Sequence, residues 1–178
     1  MAIYYGDGSN SATGRALQTV QYEFNSTYSA NSNNGFHTML SGAQITVKNA
    51  DSKILVTVHL GRASGPGDSM AFRLRRDRGG TDVTSIGVHT APGNWTGVSF
   101  QKYAKGAIND DHADGHCMQF LDTHGRGAGL AVAYSLQAWG QDNGTMYINR
   151  TQNENNTNQP YASRTGSQII MTEITVWI

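Results

Sequence analysis

The chain has a single cysteine, Cys117, among its 178 residues, so no intramolecular disulfide framework can staple it. It also has no net charge: 13 Lys and Arg balance 13 Asp and Glu, and charged residues make up only 15% of the sequence. That balance removes the electrostatic footprint of a nucleic-acid or membrane-surface binder, and neither partner is expected. No apolar run approaches the length of a membrane span. The opening "MAIYYGDGSN" has neither the basic n-region nor the apolar h-region of a signal peptide. Together these absences lead to the expectation of a soluble protein made in a cytoplasm, and a lone cysteine fits that reducing compartment. If the protein ends up outside a cell, something other than a secretion signal takes it there.

Gly, Ser, Thr and Asn are abundant, and Gly and Asn supply positive φ in turns at little cost. The length suits one domain with a real core. No amphipathic helix of useful length can be drawn, whereas apolar residues recur with period two, the pattern of half-buried strands. Strands are predicted over 16–24, 53–60, 70–76, 83–88, 97–103, 116–122, 130–139 and 145–149. In the third, Met70, Phe72 and Leu74 alternate with Ala71, Arg73 and Arg75. Turn stretches such as "GRASGPGDS", "RDRGGTD", "TAPGNWTG" and "GQDNG" separate the runs. Eight to ten such strands predict an all-β, antiparallel β-sandwich or jelly roll, with a barrel as the alternative. Residues 1–15 are expected to form a flexible N-terminal arm and 16–178 a single sandwich domain; no internal repeat is visible.

The last run, from Gln168 to Ile178, is unusual. Ile170, Thr172, Ile174, Val176 and Ile178 fall on one face, and Ile169, Met171, Glu173, Thr175 and Trp177 on the other. A sandwich strand ordinarily turns one polar face to water. Here both are apolar enough to need cover, either inside the domain or against another subunit. Glu173 and Thr175 are poor deep-core residues unless paired, which favours the second face as an interface: Ile169, Met171, Glu173, Thr175 and Trp177.

Candidate chemistry is sparse. The cluster "NDDHADGHC", with His112 and His116 among aspartates and Cys117, offers zinc-ligand types, but Gly115 and the aspartates predict a loop, and no Glu follows the first His. It is read as a solvated loop; no metal, cofactor or catalytic residue is expected. Cys117, at the head of an apolar run, is expected to be a small buried hydrophobe. The run "RLRRDRGG" projects Arg73 and Arg75 from the face opposite Met70, Phe72 and Leu74, either into solvent or toward an acidic neighbour. The glycine stretches carry no phosphate-loop pattern. Glycosylation sequons at Asn25, Asn94, Asn143, Asn149 and Asn155 matter only in a secretory pathway.

Several pieces in order resemble small virion structural proteins of tailed bacteriophages, particularly those of marine bacteria and cyanobacteria. They are "GDGSNSATGR" leading into "ALQTVQYEF", then "SGAQITVKNADSKILVTVHL", "AFRLRRDRGGTDV", "LAVAYSLQAWGQDNGTMYINRTQ" and the ending "GSQIIMTEITVWI". The sequence departs from the pattern in its His/Asp-rich loop and in continuing past Ile174. The resemblance implies a jelly roll like that of the tumour necrosis factor and complement globular-head proteins, assembled as a homotrimer with the terminal strand near the three-fold axis. It also implies a capsid decoration (cement) protein on the virion surface, made in the host cytoplasm, with the major capsid protein as partner. The arm and basic face would meet the shell through Tyr4, Tyr5, Arg15, Arg73 and Arg75. The alternative is a receptor-binding tip or short tail or head fibre recognising host glycans, through Gly93, Asn94 and Trp95 or through Tyr161. Trp177→Asp is expected to block assembly by burying an unpaired charge; an unaltered mass in solution would place the interface elsewhere.

Overall fold

The protein was analysed as a computed structural model. It describes residues 15–32, 35–65, 69–80, 82–88, 96–103, 114–140, 142, 144–151 and 164–175. Tyr4, Tyr5, Gly93, Asn94, Trp95, His112, Tyr161 and Trp177 lie outside these residues.

Among these residues eleven strands are present: β1 (Ala16–Phe24), β2 (Tyr28–Asn31), β3 (His37–Thr46), β4 (Lys53–Ser64), β5 (Ser69–Asp77), β6 (Val83–Ile86), β7 (Phe100–Tyr103), β8 (Asp114–Asp122), β9 (Ala131–Gly140), β10 (Thr145–Ile148) and β11 (Ser167–Ile174). They form two antiparallel sheets, and no helix occurs among the described residues. In the first sheet β1, β11, β4 and β8 lie side by side, and β10 and β2 extend it from the far end of β4. The second sheet runs β3, β9, β5, with β6 and β7 sharing the outer edge of β5.

The pairings are nested. β1 pairs β11, β3 pairs β9, β4 pairs β8 and β5 pairs β6, so the chain behaves as one long hairpin wrapped across two sheets. That is the connectivity of a jelly roll, and the expected β-sandwich is the fold observed. Alternation set by the pleat explains it. Ile54, Val56, Val58 and Leu60 of β4 meet Met70, Phe72 and Leu74 of β5 and Val132, Tyr134, Leu136 and Ala138 of β9 in one core. Each large side chain withdrawn from water there contributes about 1.5–3 kcal/mol before ordering costs.

Two strands fall outside the runs expected from the sequence. β2 is only four residues long. β3 carries two register shifts, between Thr38 and Leu40 and between Leu40 and Ala43, with Gly42 at φ 93°. The irregularity buries Met39 and Leu40 in succession and breaks the alternation a sequence reader relies on.

Asn149 closes β10. It is the one described non-glycine residue with positive φ, at 66°, and it is fully buried. Its Nδ2 donates to the carbonyls of Phe24 (2.6 Å) and Ser26 (2.9 Å), and its Oδ1 accepts from Ser167 Oγ at 2.6 Å. One amide therefore ties β10 to the ends of β1 and β11. Burial also removes Asn149 as a glycan acceptor. Asn149→Ala is expected to lower unfolding free energy by about 2–4 kcal/mol through orphaned partners and a left-handed backbone. Asn149→Gly should recover about 1 kcal/mol of that loss by relieving the backbone alone. Urea denaturation of the two variants checks the split.

Candidate interaction surfaces

The structure reverses the expected sidedness of the terminal strand. Ile169, Met171 and Glu173 point into the sandwich and are fully buried within the chain, so they cannot meet a neighbouring subunit. The outward side chains of β11 are Gln168, Ile170, Thr172 and Ile174. Thr175 extends the pairing of β1 with β11: its N–H donates to the Arg15 carbonyl at 2.9 Å, and its Oγ1 accepts from the Arg15 N–H at 3.1 Å.

What allows Glu173 inside is a complete set of donors. Its carboxylate accepts from Ser52 Oγ (2.6 Å), Gln18 Nε2 (2.6 Å) and the backbone N–H groups of Lys48 (2.9 Å) and Asn49 (2.9 Å). Burial alone would raise this carboxyl, but those hydrogen bonds outweigh it and hold it below the ordinary 4.5. Ser52 Oγ is also 3.1 Å from His124 Nε2, while His124 Nδ1 accepts from the Arg126 N–H at 3.0 Å. The single Ser52 hydroxyl hydrogen has two acceptors at 2.6 Å, the Glu173 carboxylate and the Asn49 carbonyl, which leaves the imidazole neutral and donating to Ser52 from Nε2. Protonating Nδ1 would cost the Arg126 bond.

Two residues upstream on the chain, Asp122 accepts from Arg76 Nη1 (2.6 Å) and the Tyr134 hydroxyl (2.8 Å), so β8, β5 and β9 meet in a second buried knot. Burial and the Asp122 carboxylate push the Tyr134 phenol far up, so it acts as a donor throughout the accessible pH range. Ser52, His124 and Glu173 superficially suggest a hydrolase. Ser52 is buried, and its hydroxyl hydrogen goes to the Glu173 carboxylate or the Asn49 carbonyl instead of to His124, where a catalytic base would need it, so this is a structural knot.

The outer face of the first sheet is a ladder of matched rows. Thr19, Thr172, Leu55 and Leu121 form one row, Gln21, Ile170, Thr57 and Gln119 the next, and Glu23, Gln168, His59 and Cys117 the third. The first two rows hold no charge. Leu121, 56% exposed on edge strand β8, is the most exposed large hydrophobic residue described. Cys117 is exposed on this face rather than buried as its apolar neighbours implied, because strand parity sends Met118 and Phe120 inward.

The outer face of the second sheet has another character. Arg73 and Arg75 project from it, opposite Met70, Phe72 and Leu74, as the alternation predicts. The Arg73 guanidinium carbon lies 3.9 Å from the centroid of Phe36, and Phe36 packs against Trp139 at 5.7 Å. Arg75 donates only a long bond, 3.4 Å, to the Val83 carbonyl. Nothing in the sequence pattern flags Phe36 or Trp139 as partners of Arg73; register alone brings them together. Among the described residues no group of three potential metal ligands occurs.

No protein-family profile and no curated protein matches the chain. Solved structures of infectious bursal disease virus resemble it distantly. The Gx strain structure is 13% identical with a TM-score of 0.36, over 99% of this chain and 44% of that one. For the Gt strain the values are 12%, 0.38, 99% and 44%. A VP2 protein in derived T=1 particles gives 12%, 0.39, 99% and 41%. The chain thus spans less than half the length of these proteins, and a likeness at such scores carries nothing about assembly over to it.

The first knot generates a pH dependence. Burial, chiefly, pushes His124 below its ordinary 6.5, so below that pH the unfolded chain takes up a proton that the folded chain refuses. Stability should therefore fall as pH drops through 6.5 and level off beneath the folded value. It should fall again as Glu173, depressed below 4.5, is protonated. Urea midpoints from pH 8 down to about 2.5 should trace both declines, and His124→Gln should flatten the upper step while lowering stability overall.

Proposed function

We propose that the protein is a virion structural protein of a tailed bacteriophage: a capsid decoration protein that assembles as a trimer on the shell and binds the major capsid protein without catalysis. The observation that carries this reading is the pair of uncharged rows on the outer face of β1, β11, β4 and β8. In this proposal the subunit contact uses Ile170, Thr172 and Ile174 with Leu55 and Leu121. They replace the inward-facing Ile169, Met171 and Glu173. The sequence resemblance to small phage virion proteins supports the setting, and the jelly-roll connectivity is compatible with it.

Magnitude shapes the proposal. Four strands at about 4.8 Å spacing and three rows at roughly 7 Å give a flat area of roughly 400 Å². A stable standard interface takes about 800 Å² from each partner. A trimer held by this face alone is therefore weak, and simultaneous attachment to a lattice would supply the rest through effective concentration. Arg15 and Arg75 are the proposed contacts to an acidic shell surface; Arg73 is already engaged over Phe36.

The deciding experiment is a reconstruction of the intact virion. Copies at icosahedral positions over the shell support the proposal, whereas a few copies at the tail or one vertex refute it. In solution, mass measurement should show concentration-dependent trimers. Ile170→Asp or Thr172→Arg should hold the protein monomeric while changing unfolding free energy by no more than about 0.5 kcal/mol, as surface positions do. Unchanged oligomers in both variants would move the contact off this face.

A further inference from the structure

Among the described residues, β1, β2, β3, β6, β7 and β8 each have one side that no other strand pairs. Such an edge is a row of N–H and C=O groups open to any strand offered, so folded proteins shorten, bend or charge their edges. Five of these strands follow that rule. β2, β6 and β7 have only four residues each. β3 is bent by its two register shifts. β1 bulges at Leu17, whose carbonyl accepts from Lys48 Nζ at 3.3 Å, and it carries Glu23.

β8 has none of these devices. Its nine residues, Asp114–Asp122, include no Pro, Lys or Arg. Its register with β4 runs unbroken from His116 to Asp122, because the irregularity between Leu60 and Ala63 puts the extra residue in β4. Leu121 and Cys117 are exposed on its outer side. Met118 and Phe120 turn inward but are only partly buried, unlike the inward residues of β4, β5 and β9. The one long, straight edge is thus the one left unguarded.

We propose that β8 pairs antiparallel with β8 of a second copy about a two-fold axis at Gln119, joining two first sheets edge to edge. In that register the strand complements itself. Gln119 falls opposite Gln119 and Cys117 opposite Leu121 on the outer side. Met118 falls opposite Phe120, and the His116 imidazole opposite the Asp122 carboxylate, on the inner side. Amide, apolar and oppositely polar pairs are those that cross-strand packing rewards. Neighbouring axes are worse. An axis at Met118 sets Leu121 against Gly115, which has no side chain to cover it. An axis at Phe120 sets Met118 against Asp122 and runs past the end of the strand. The matching order is the chain's own, so a copy is the partner that fits it. The pair makes about six to eight main-chain hydrogen bonds. It covers well under the ~800 Å² per partner of a standard interface, so it forms transiently in dilute solution. The contact does not depend on the assembly reading above; Leu121 is the one side chain common to the two.

Disulfide trapping tests it. In this register the two Cys117 α-carbons are roughly 14 Å apart, too far to bridge, whereas the two residues at 119 lie within reach. Cys117→Ser with Gln119→Cys, oxidised by glutathione disulfide at micromolar concentration, should give at least about tenfold more covalent dimer than the unchanged protein. It should exceed Cys117→Ser with Thr123→Cys by the same margin, read by mass without reductant. Leu121→Cys with Cys117 retained should trap the same pair through two bonds. Equal yields in all these proteins, no excess in a trapping variant, or preferential bonding of the unchanged Cys117 overturns the proposal. Adding Ile170→Asp to the Gln119→Cys protein should leave the trapped yield within about twofold, as a position away from the edge would. A collapse of that yield also overturns the proposal, by tying the pair to the outer face. Failure of the ladder contact and failure of the edge contact therefore give different results.

Discussion

The fold's sidedness depends on one buried carboxylate. Strand β11 is apolar on both faces, and pleating alone does not say which face turns inward. Glu173 decides it. An ionised carboxylate is tolerable inside a sandwich only where several donors converge on it. The corner after β3 supplies them through two backbone N–H groups and Ser52, with Gln18 closing the set from β1. Once Glu173 is inside, Ile169 and Met171 follow by parity into the core, and Ile170, Thr172 and Ile174 must face out. The same knot recruits His124 and leads directly into the Arg76, Asp122 and Tyr134 cluster. One end of the sandwich is thus locked by geometry that hydrophobic contact, being non-directional, does not provide.

That lock explains what could and could not be read from the sequence. β1, β5 and β9 have alternation that makes them legible almost to the residue, including the outward course of Arg73 and Arg75, whereas β4 runs four residues past the expected 53–60, across a register shift between Leu60 and Ala63. β3 was not legible, since its bulges bury Met39 and Leu40 together and put Gly42 in a left-handed conformation. The face of β11 was misjudged for a specific reason. Glu173 looks like a poor core residue when its neighbours in sequence are considered, and the groups that satisfy it lie more than 120 residues away. Cys117 was misplaced because an apolar run on an edge strand was read as wholly buried.

The two outer faces divide chemically. One has at its centre two uncharged rows of threonine, glutamine and aliphatic side chains, bordered by Glu23 and His59 at one end and Lys53 at the other. The other carries arginines, an indole and exposed amides, a surface that rewards a polar partner and resists stacking on a copy of itself. The first suits repeated contact between identical subunits, and the second suits recognition of something different. A sandwich keeps these roles separate because adjacent side chains on each strand point to opposite sides.

The nested pairing has a kinetic consequence. Thr175 bonds back to Arg15, so the first sheet lacks a partner for β1 until β11 exists. Contacts this distant in sequence carry the full loop-closure cost before any return, and chains dominated by them fold slowly. During synthesis β1 must therefore wait, with one edge and its apolar face uncovered, while nearly the whole domain is made. Crowded chains at that stage are exposed to mispairing of strand edges. Once closed, however, β1 and β11 cannot part without breaching the core and the Glu173 knot together, so a slow entry into the fold is matched by a slow exit.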